Sequence, residues 1–446
     1  MISDSGALGW PRPRLAAVFA RYRYAVAALD QIALSVFGFA LNVCLLRTLS
    51  ATEYGIVSLW MTMALFAISV QSALVLGPLN IYLPGATEPE KARRLETALT
   101  TMNLVAVLVA AALAGAVNLF ADVEWASHDP LMLIAIPLFV AAGMYREYYR
   151  STAFSRRDMT MLLWVDGPYL IVTSLCLGAM LLWPQRFADL ATAFLAMTIG
   201  CLVSQFCVRL RGAKDRDWGA ERRVFGDGWL RQYRQISGEV AWSLAGVVAN
   251  HVENRSYVYI ATSLAGMASL AAINAIGVLF RPVSVLVSAW GQSALPHLSD
   301  ALSNGRIDEF DRTLLRALVA TAIGSLAIGA MLWFAWQPVQ RYVLAGKYSD
   351  GFLLLWPWAA ASGASVLRYV GSTGLMAARE FRFLAKAQTV SGVIAAAATA
   401  GFILWRGYTA AMWGIALGNC VCLAWEMARL EKVRRAARAA ATPEGK

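Results

Sequence analysis

The sequence predicts an all-helical integral membrane protein, with about twelve transmembrane helices arranged as two six-helix lobes related by a parallel internal repeat. Three observations predict it: too little charge for a soluble surface, apolar runs of spanning length, and a one-sided distribution of Lys and Arg. Of the 446 residues, 59% are hydrophobic and only 15% are charged, against ~25% charged in an average soluble domain. A soluble chain of this length would form about three domains, and so few charges cannot cover three surfaces. The apolar content also excludes disorder. Runs such as 104–114 show no alternation of polar and apolar residues, which excludes an outer-membrane barrel.

A spanning helix needs about 20 apolar residues. Such stretches fall near 24–46, 55–79, 98–120, 131–149, 160–183 and 188–208, then 237–260, 267–295, 313–336, 351–375, 385–405 and 410–428. Residues 1–23 are polar and basic, and the apolar run behind them is too long for a signal peptide, so it reads as a retained first helix. The chain divides into an N-terminal lobe (1–208), a basic linker (209–236), a C-terminal lobe (237–428) and a basic tail (429–446). Of the 39 Lys and Arg, 31 fall on one side of these spans and 6 on the other. Positive charge marks the cytoplasmic side, so both termini are expected there. The acidic connector 121–130 fits the outside, and Trp183, Trp336, Trp405 and Trp425 fit interfacial belts. The net charge of +11 thus reads as cytoplasmic loops. Nucleic acid is not an expected partner, because no soluble basic segment is interleaved with stacking aromatics. The six cysteines lie in apolar segments without CxxC spacing, so they read as small buried residues and neither metal nor cofactor is expected.

The first and seventh helices align at an offset of 208: Ser35 with Ser243, Gly38 with Gly246, Asn42 with Asn250, Arg47 with Arg255, and Gln31 with Glu239. Further matches follow at larger offsets, among them Pro137, Gly143 and Tyr149 with Pro357, Gly363 and Tyr369. Growing offsets are what loop insertions produce. Both halves start on the same side, so the repeat is parallel, an arrangement common in transporters.

Polar residues form stripes at helical spacing. The first helix carries Gln31, Ser35, Gly38 and Asn42; the seventh Glu239, Ser243, Gly246, Asn250 and Asn254; the eighth Asn274, Gly277, Arg281, Ser284 and Ser288. Lipid cannot satisfy these groups, so the faces meet protein or water. Helix contacts explain the Ser and Gly positions as well as a cavity does. They explain the ionised groups poorly, since each costs at least ~2.5–3.5 kcal/mol at mid-membrane. Arg281, followed by Pro282, lies near the middle of its helix, where the proline can bend the backbone. Arg368 lies within the tenth span, and Arg47 and Arg255 at the outer ends of the first and seventh. These cations imply an anionic ligand, because guanidinium fits phosphate oxygens two-pronged and keeps its charge. Arg281, Arg368, Arg47 and Arg255, with Asn42, Asn250 and Asn274, are therefore the candidate substrate-binding residues. Asp30, Glu239 and Asp166 are the candidate ion-coupling residues, although interfacial snorkelling is an alternative for Asp30 and Glu239. No GxxxxGKS/T nucleotide loop is present, and no other feature points to an enzyme.

Several segments resemble the polysaccharide transport (Wzx-type flippase) branch of the multidrug/oligosaccharidyl-lipid/polysaccharide exporter superfamily. They are Leu29-Asp30-Gln31, the hairpin from Asn42 through Arg47 to Glu53-Tyr54-Gly55, Asn254-Arg255, and Arg281-Pro282 followed by Ala294-Leu295-Pro296. Asn254 stands where members often have Asp. The resemblance implies a bacterial inner-membrane protein that flips a polyprenyl-diphosphate-linked oligosaccharide to the outer leaflet for surface or exopolysaccharide synthesis. It implies alternating access between the lobes, coupling to H+ or Na+, and glycan polymerase or glycosyltransferases as partners. The alternatives are a cation or drug antiporter of the same superfamily and a membrane assembly partner that transports nothing.

Overall fold

The computed structural model describes residues 23–83, 88–120, 130–156, 158–212, 224–226, 228–348 and 350–441. The acidic connector 121–129 and residues 213–223 and 227 of the basic linker lie outside the described residues. Helix α1 (Arg23–Thr48) ends at a tight turn. Ser50 opens α2 (Ala51–Tyr82) with a reciprocal cap: its hydroxyl accepts from the Glu53 N–H, and the Glu53 carboxylate accepts from the Ser50 N–H. The lobe continues through α3 (Pro89–Phe120), α4 (Pro130–Ser155), α5 (Met159–Leu182) and α6 (Leu190–Gly212).

The second half begins with a hydrogen-bonded run of 75 residues, Trp229–Ser303, broken at Gly266 (φ 81°, ψ 174°). That conformation is open to glycine and strained for other residues. Tyr257 and Asn274, 17 positions apart, share a hydrogen bond of 2.9 Å; a straight helix would separate them by about 25 Å. The run therefore folds back into α7 (229–265) and α8 (267–303). Pro282 stays within helical backbone, and the non-helical residue is Gly266, between the seventh and eighth expected spans. Four further helices follow: α9 (Ile307–Phe334), α10 (Gly351–Ala377), α11 (Phe381–Arg406) and α12 (Ala411–Ala441).

Ten helices are long and apolar enough to cross a membrane, counting Trp229–Ser303 once. Dividing that run and adding α10, whose Trp, Gly and Ser lower its hydropathy, makes twelve spans among the described residues. Six alternating spans return the chain to its starting face, so both sets begin on the same face, as a parallel repeat requires. The ends of α4 and α12 reach well past the spans expected at 149 and 428.

One apolar core crosses between the lobes at the α1–α2 turn end. It includes Leu45, Tyr54, Val57 and Trp60 from the first lobe, and Tyr257, Leu270, Ile273 and Ile276 from the second. Gly55 lies directly against the backbone of Met267, where a Cβ would collide with the carbonyl. The lobes are closed there.

Candidate functional site: a cationic hollow between the lobes

Behind this closure, toward the basic face, a hollow of about 1260 Å³ separates the lobes. Gln31, Ile32 and Ser35 of α1 line one rim, and Val285, Ser288 and Gln292 of α8 line the other. On the α2–α7 side the lobes touch again, where Tyr233 donates to the Leu74 carbonyl (3.0 Å) and Tyr82 donates to Glu239. The α1–α8 side has no such bridge among the described residues. Its apolar side chains Leu29, Ile32, Val36, Val285 and Leu286 are exposed, as faces open to acyl chains would be. The hollow therefore opens sideways.

The chemistry of the lining is one-sided. Arg255 and Arg281 both face the hollow, and no Asp or Glu is among its described lining residues. Neither guanidinium has an ion pair with a described residue, and each lies within electrostatic range of the other. Two like charges in a partly enclosed site repel, and an anion between them relieves that cost. The rest of the lining is amide and hydroxyl: Asn250, Asn254, Asn274, Gln292, Ser284 and Ser362 among others. Trp358 adds an aromatic wall. Its indole N–H donates to the Ile273 carbonyl (2.6 Å), and its ring stacks on Phe280 (centroids 6.4 Å apart). His251 also lines the hollow and hydrogen-bonds Tyr259 (2.8 Å).

The structure brings together Arg281, Arg255, Asn250 and Asn274 of the candidate binding residues. Arg255 sits inside the hollow because α7 runs on to 265. Three others stand apart. Asn42 is buried, bonded to the Gly38 carbonyl (2.7 Å) and to Tyr54 (3.4 Å). Arg47 lies at the closure and donates to the Tyr342 carbonyl (2.7 Å). Arg368 is buried and paired with Glu253 at 2.5 Å. The expectation that Arg368 faces a ligand is corrected on this geometry: its charge is already matched. Trp336, expected at the interface, is also buried, whereas Trp183, Trp405 and Trp425 are exposed.

The candidate coupling acids sit in two different settings. Asp30 and Asp166 are buried together around Arg150, which donates to each (3.1 and 3.0 Å), while Arg146 also pairs with Asp166. Glu239 is exposed and bonded to Tyr82. Sequence reasoning missed four members of the buried charge clusters. The sequence tally places Arg146 and Arg150 with the charges of the cytoplasmic side, one just inside the expected span and one just past its end at 149, yet their spacing of four places them on one helical face. Glu426 was near the edge of the last expected span, whereas it is buried in α12 and accepts from Ser372 (2.9 Å). Glu253 stands three positions after Asn250, at the spacing of the seventh-helix stripe, which the sequence reading continued through Asn254 instead.

The closed end carries a further tie. Lys347 donates to the carbonyls of Leu46, Arg47 and Leu49 (3.2, 2.7 and 2.6 Å), the bare C-terminal carbonyls of α1 and its turn. Partial desolvation of this otherwise exposed side chain pushes the Lys347 ammonium below its usual pKa; Glu53 opposes this and Arg47 adds to it. Among the described residues, no group of three His, Cys, Asp or Glu is placed to hold a metal.

No family model matches the chain, and no curated protein matches it in sequence. Solved structures do. The chain is similar to a multidrug resistance MATE family transporter of the MOP superfamily in an inward-facing conformation, with TM-score 0.64 and 12% identity over 90% of this chain and 95% of that one. It is similar to the lipid II flippase MurJ in an inward closed conformation, with TM-score 0.67 and 12% identity over 92% and 91%. A MOP superfamily transporter from Pyrococcus furiosus, for which reverse polarity of the binding pocket suggests a different function, matches with TM-score 0.53 and 13% identity over 95% of each chain. At these identities the likeness is one of fold, the fold of superfamily transporters.

Proposed function

We propose that this protein is a flippase that carries a polyprenyl-diphosphate-linked oligosaccharide from the cytoplasmic to the outer leaflet by alternating access. The observation that carries the reading is the hollow with two unpaired guanidiniums and no described carboxylate in its lining. A diphosphate satisfies both cations. The amides and hydroxyls suit sugar hydroxyls, and Trp358 suits the apolar face of a sugar ring. The lipid tail stays in the bilayer through the side opening between α1 and α8. The flippase among the structural neighbours supports a lipid-linked cargo. A hollow for cationic drugs would need carboxylates in its lining, and none is described there.

The energetics suit an anion. Moving charge across the membrane is worth ~2.3 kcal/mol per elementary charge per 100 mV. An inside-negative potential drives a diphosphate outward and favours return of the emptied cationic hollow. Coupling to H+ or Na+ is assigned to Asp30 and Asp166, where Arg146 and Arg150 face three acids when Glu147 is included. Glu239 is reassigned to the contact with Tyr82 that holds the lobes together. Glycan polymerase and glycosyltransferases are the expected partners, and the inner membrane with both termini cytoplasmic is the expected setting.

The test is a liposome flipping assay with a polyprenyl-diphosphate glycan under an imposed potential. Wild type is expected to flip faster with the interior negative on the donor side. Arg281→Ala is expected to lose ~10–100-fold, since a charge-assisted hydrogen-bonding group contributes about 1.5–3 kcal/mol. Flipping indifferent to potential, or an unimpaired Arg281→Ala protein, overturns the proposal.

A further inference from the structure

A second, smaller hollow lies away from the first, at the α8–α9 turn on the basic face. Its volume is about 580 Å³, and its lining includes His297, Arg306, Glu309, Arg312, Thr313 and Arg316. Of its acids, Glu309 faces Arg306 (2.6 Å) and His297 (3.2 Å), while Asp308 is exposed at the rim, 3.9 Å from Arg438, which pairs more closely with Asp311 (2.7 Å). Arg312 and Arg316 have no ion pair with a described residue. They are four positions apart, so they share one face of α9. That same face continues down the helix as Val319, Ile323 and Leu326, which are 50%, 62% and 73% exposed. Helix α9 is thus a lipid-facing helix whose apolar stripe ends in two free guanidiniums beside a polar hollow.

We propose that this hollow is a binding site for an anionic phospholipid of the surrounding leaflet. The phosphodiester lies between Arg312 and Arg316, the headgroup occupies the hollow, and an acyl chain runs along Val319, Ile323 and Leu326. Charge complementarity and the continuity of the stripe select a lipid over a soluble anion, which would leave the stripe unused. Exposed Arg382 and Lys386 on α11 offer a comparison: the same spacing of four near the same face, without this hollow.

The experiment uses the full-length protein, delipidated in detergent and titrated with phosphatidylglycerol, with phosphatidylcholine, and with inorganic phosphate, bound lipid being counted by native mass spectrometry. Wild type is expected to take up one phosphatidylglycerol in preference to phosphatidylcholine. The Arg312→Gln/Arg316→Gln protein is expected to bind it about 30-fold more weakly, each basic group at headgroup level contributing about fivefold. Arg382→Gln/Lys386→Gln is expected to bind as wild type. Both pairs are exposed, so melting temperatures serve as the check that all three proteins fold alike. Equal uptake of both lipids, equal loss in both variants, or displacement of the lipid by inorganic phosphate overturns the proposal. Loss of binding in the α9 variant alone sustains it.

Discussion

Replacing Arg368 with Ala separates a structural guanidinium from a ligand-binding one. Its side chain is 8% exposed and that of its partner Glu253 is 0% exposed, with 2.5 Å between them. Removing one member of a buried pair leaves an uncompensated charge, at a cost of about 3–5 kcal/mol. The upper part of that range is expected here, because Glu426 also lies within electrostatic range of Glu253. Without Arg368, two buried carboxylates confront each other. Glu253→Gln is milder: it removes one acid and leaves Glu426, held by Ser372 (2.9 Å to both oxygens), to balance Arg368. We expect a cost near 1–3 kcal/mol, that of disturbing one buried hydrogen-bonded group. The Arg368→Ala/Glu253→Gln protein should then be more stable than the sum of the single changes allows, since the two groups share one interaction. Thermal unfolding of the purified proteins reads these differences directly, with binding of a polyprenyl-diphosphate glycan measured beside it. An Arg368→Ala protein that melts like wild type but no longer binds the glycan would falsify the structural assignment and return Arg368 to the ligand.

Other consequences concern the closure and the α7–α8 turn. Gly55→Leu places a side chain against the Met267 carbonyl; the closed end should splay, so a cysteine substituted for Asn274 reacts faster with an impermeant thiol reagent added from that side. The same labelling should rise about threefold to tenfold in Lys347→Ala, because the tie is exposed and worth roughly 1 kcal/mol; unchanged labelling removes Lys347 from the closure. Gly266→Ala should lower stability by about 1–3 kcal/mol through backbone strain alone, since nothing lies within 4 Å of the added Cβ; a melting temperature equal to wild type contradicts the turn geometry.

Hydrophobic spacing set the number of spans, because each stretch must match the bilayer's thickness regardless of its neighbours. Their order followed, and the tight turn between the first two spans is closed by the local Ser50–Glu53 cap. The ends of α4 and α12 were less legible. Charged residues mark the edge of a span in a hydropathy reading, but α4 runs on past Arg150 and α12 past Glu426, and Arg146, Arg150 and Glu426 are held within the protein by partners from other helices. The eighth-helix stripe was readable for the same reason as the spans: Asn274, Arg281, Ser284 and Ser288 recur at helical spacing and do face the hollow.

The division between Arg281 and Arg368 was not readable. Both are lone cations in apolar helices, and one-dimensional spacing assigns them the same cost. Their fates depend on whether a carboxylate from a distant helix arrives within hydrogen-bonding reach. Glu253, 115 positions away, reaches Arg368, and none among the described residues reaches Arg281. Asn42 and Asn250 make the same point within the repeat: equivalent positions, one sealed in the closed core and the other open to the hollow. Periodicity and transfer energy are properties of a segment and can be read along the chain. Which buried charge is matched, and which is left without a carboxylate among the described residues, is a property of the packing between segments.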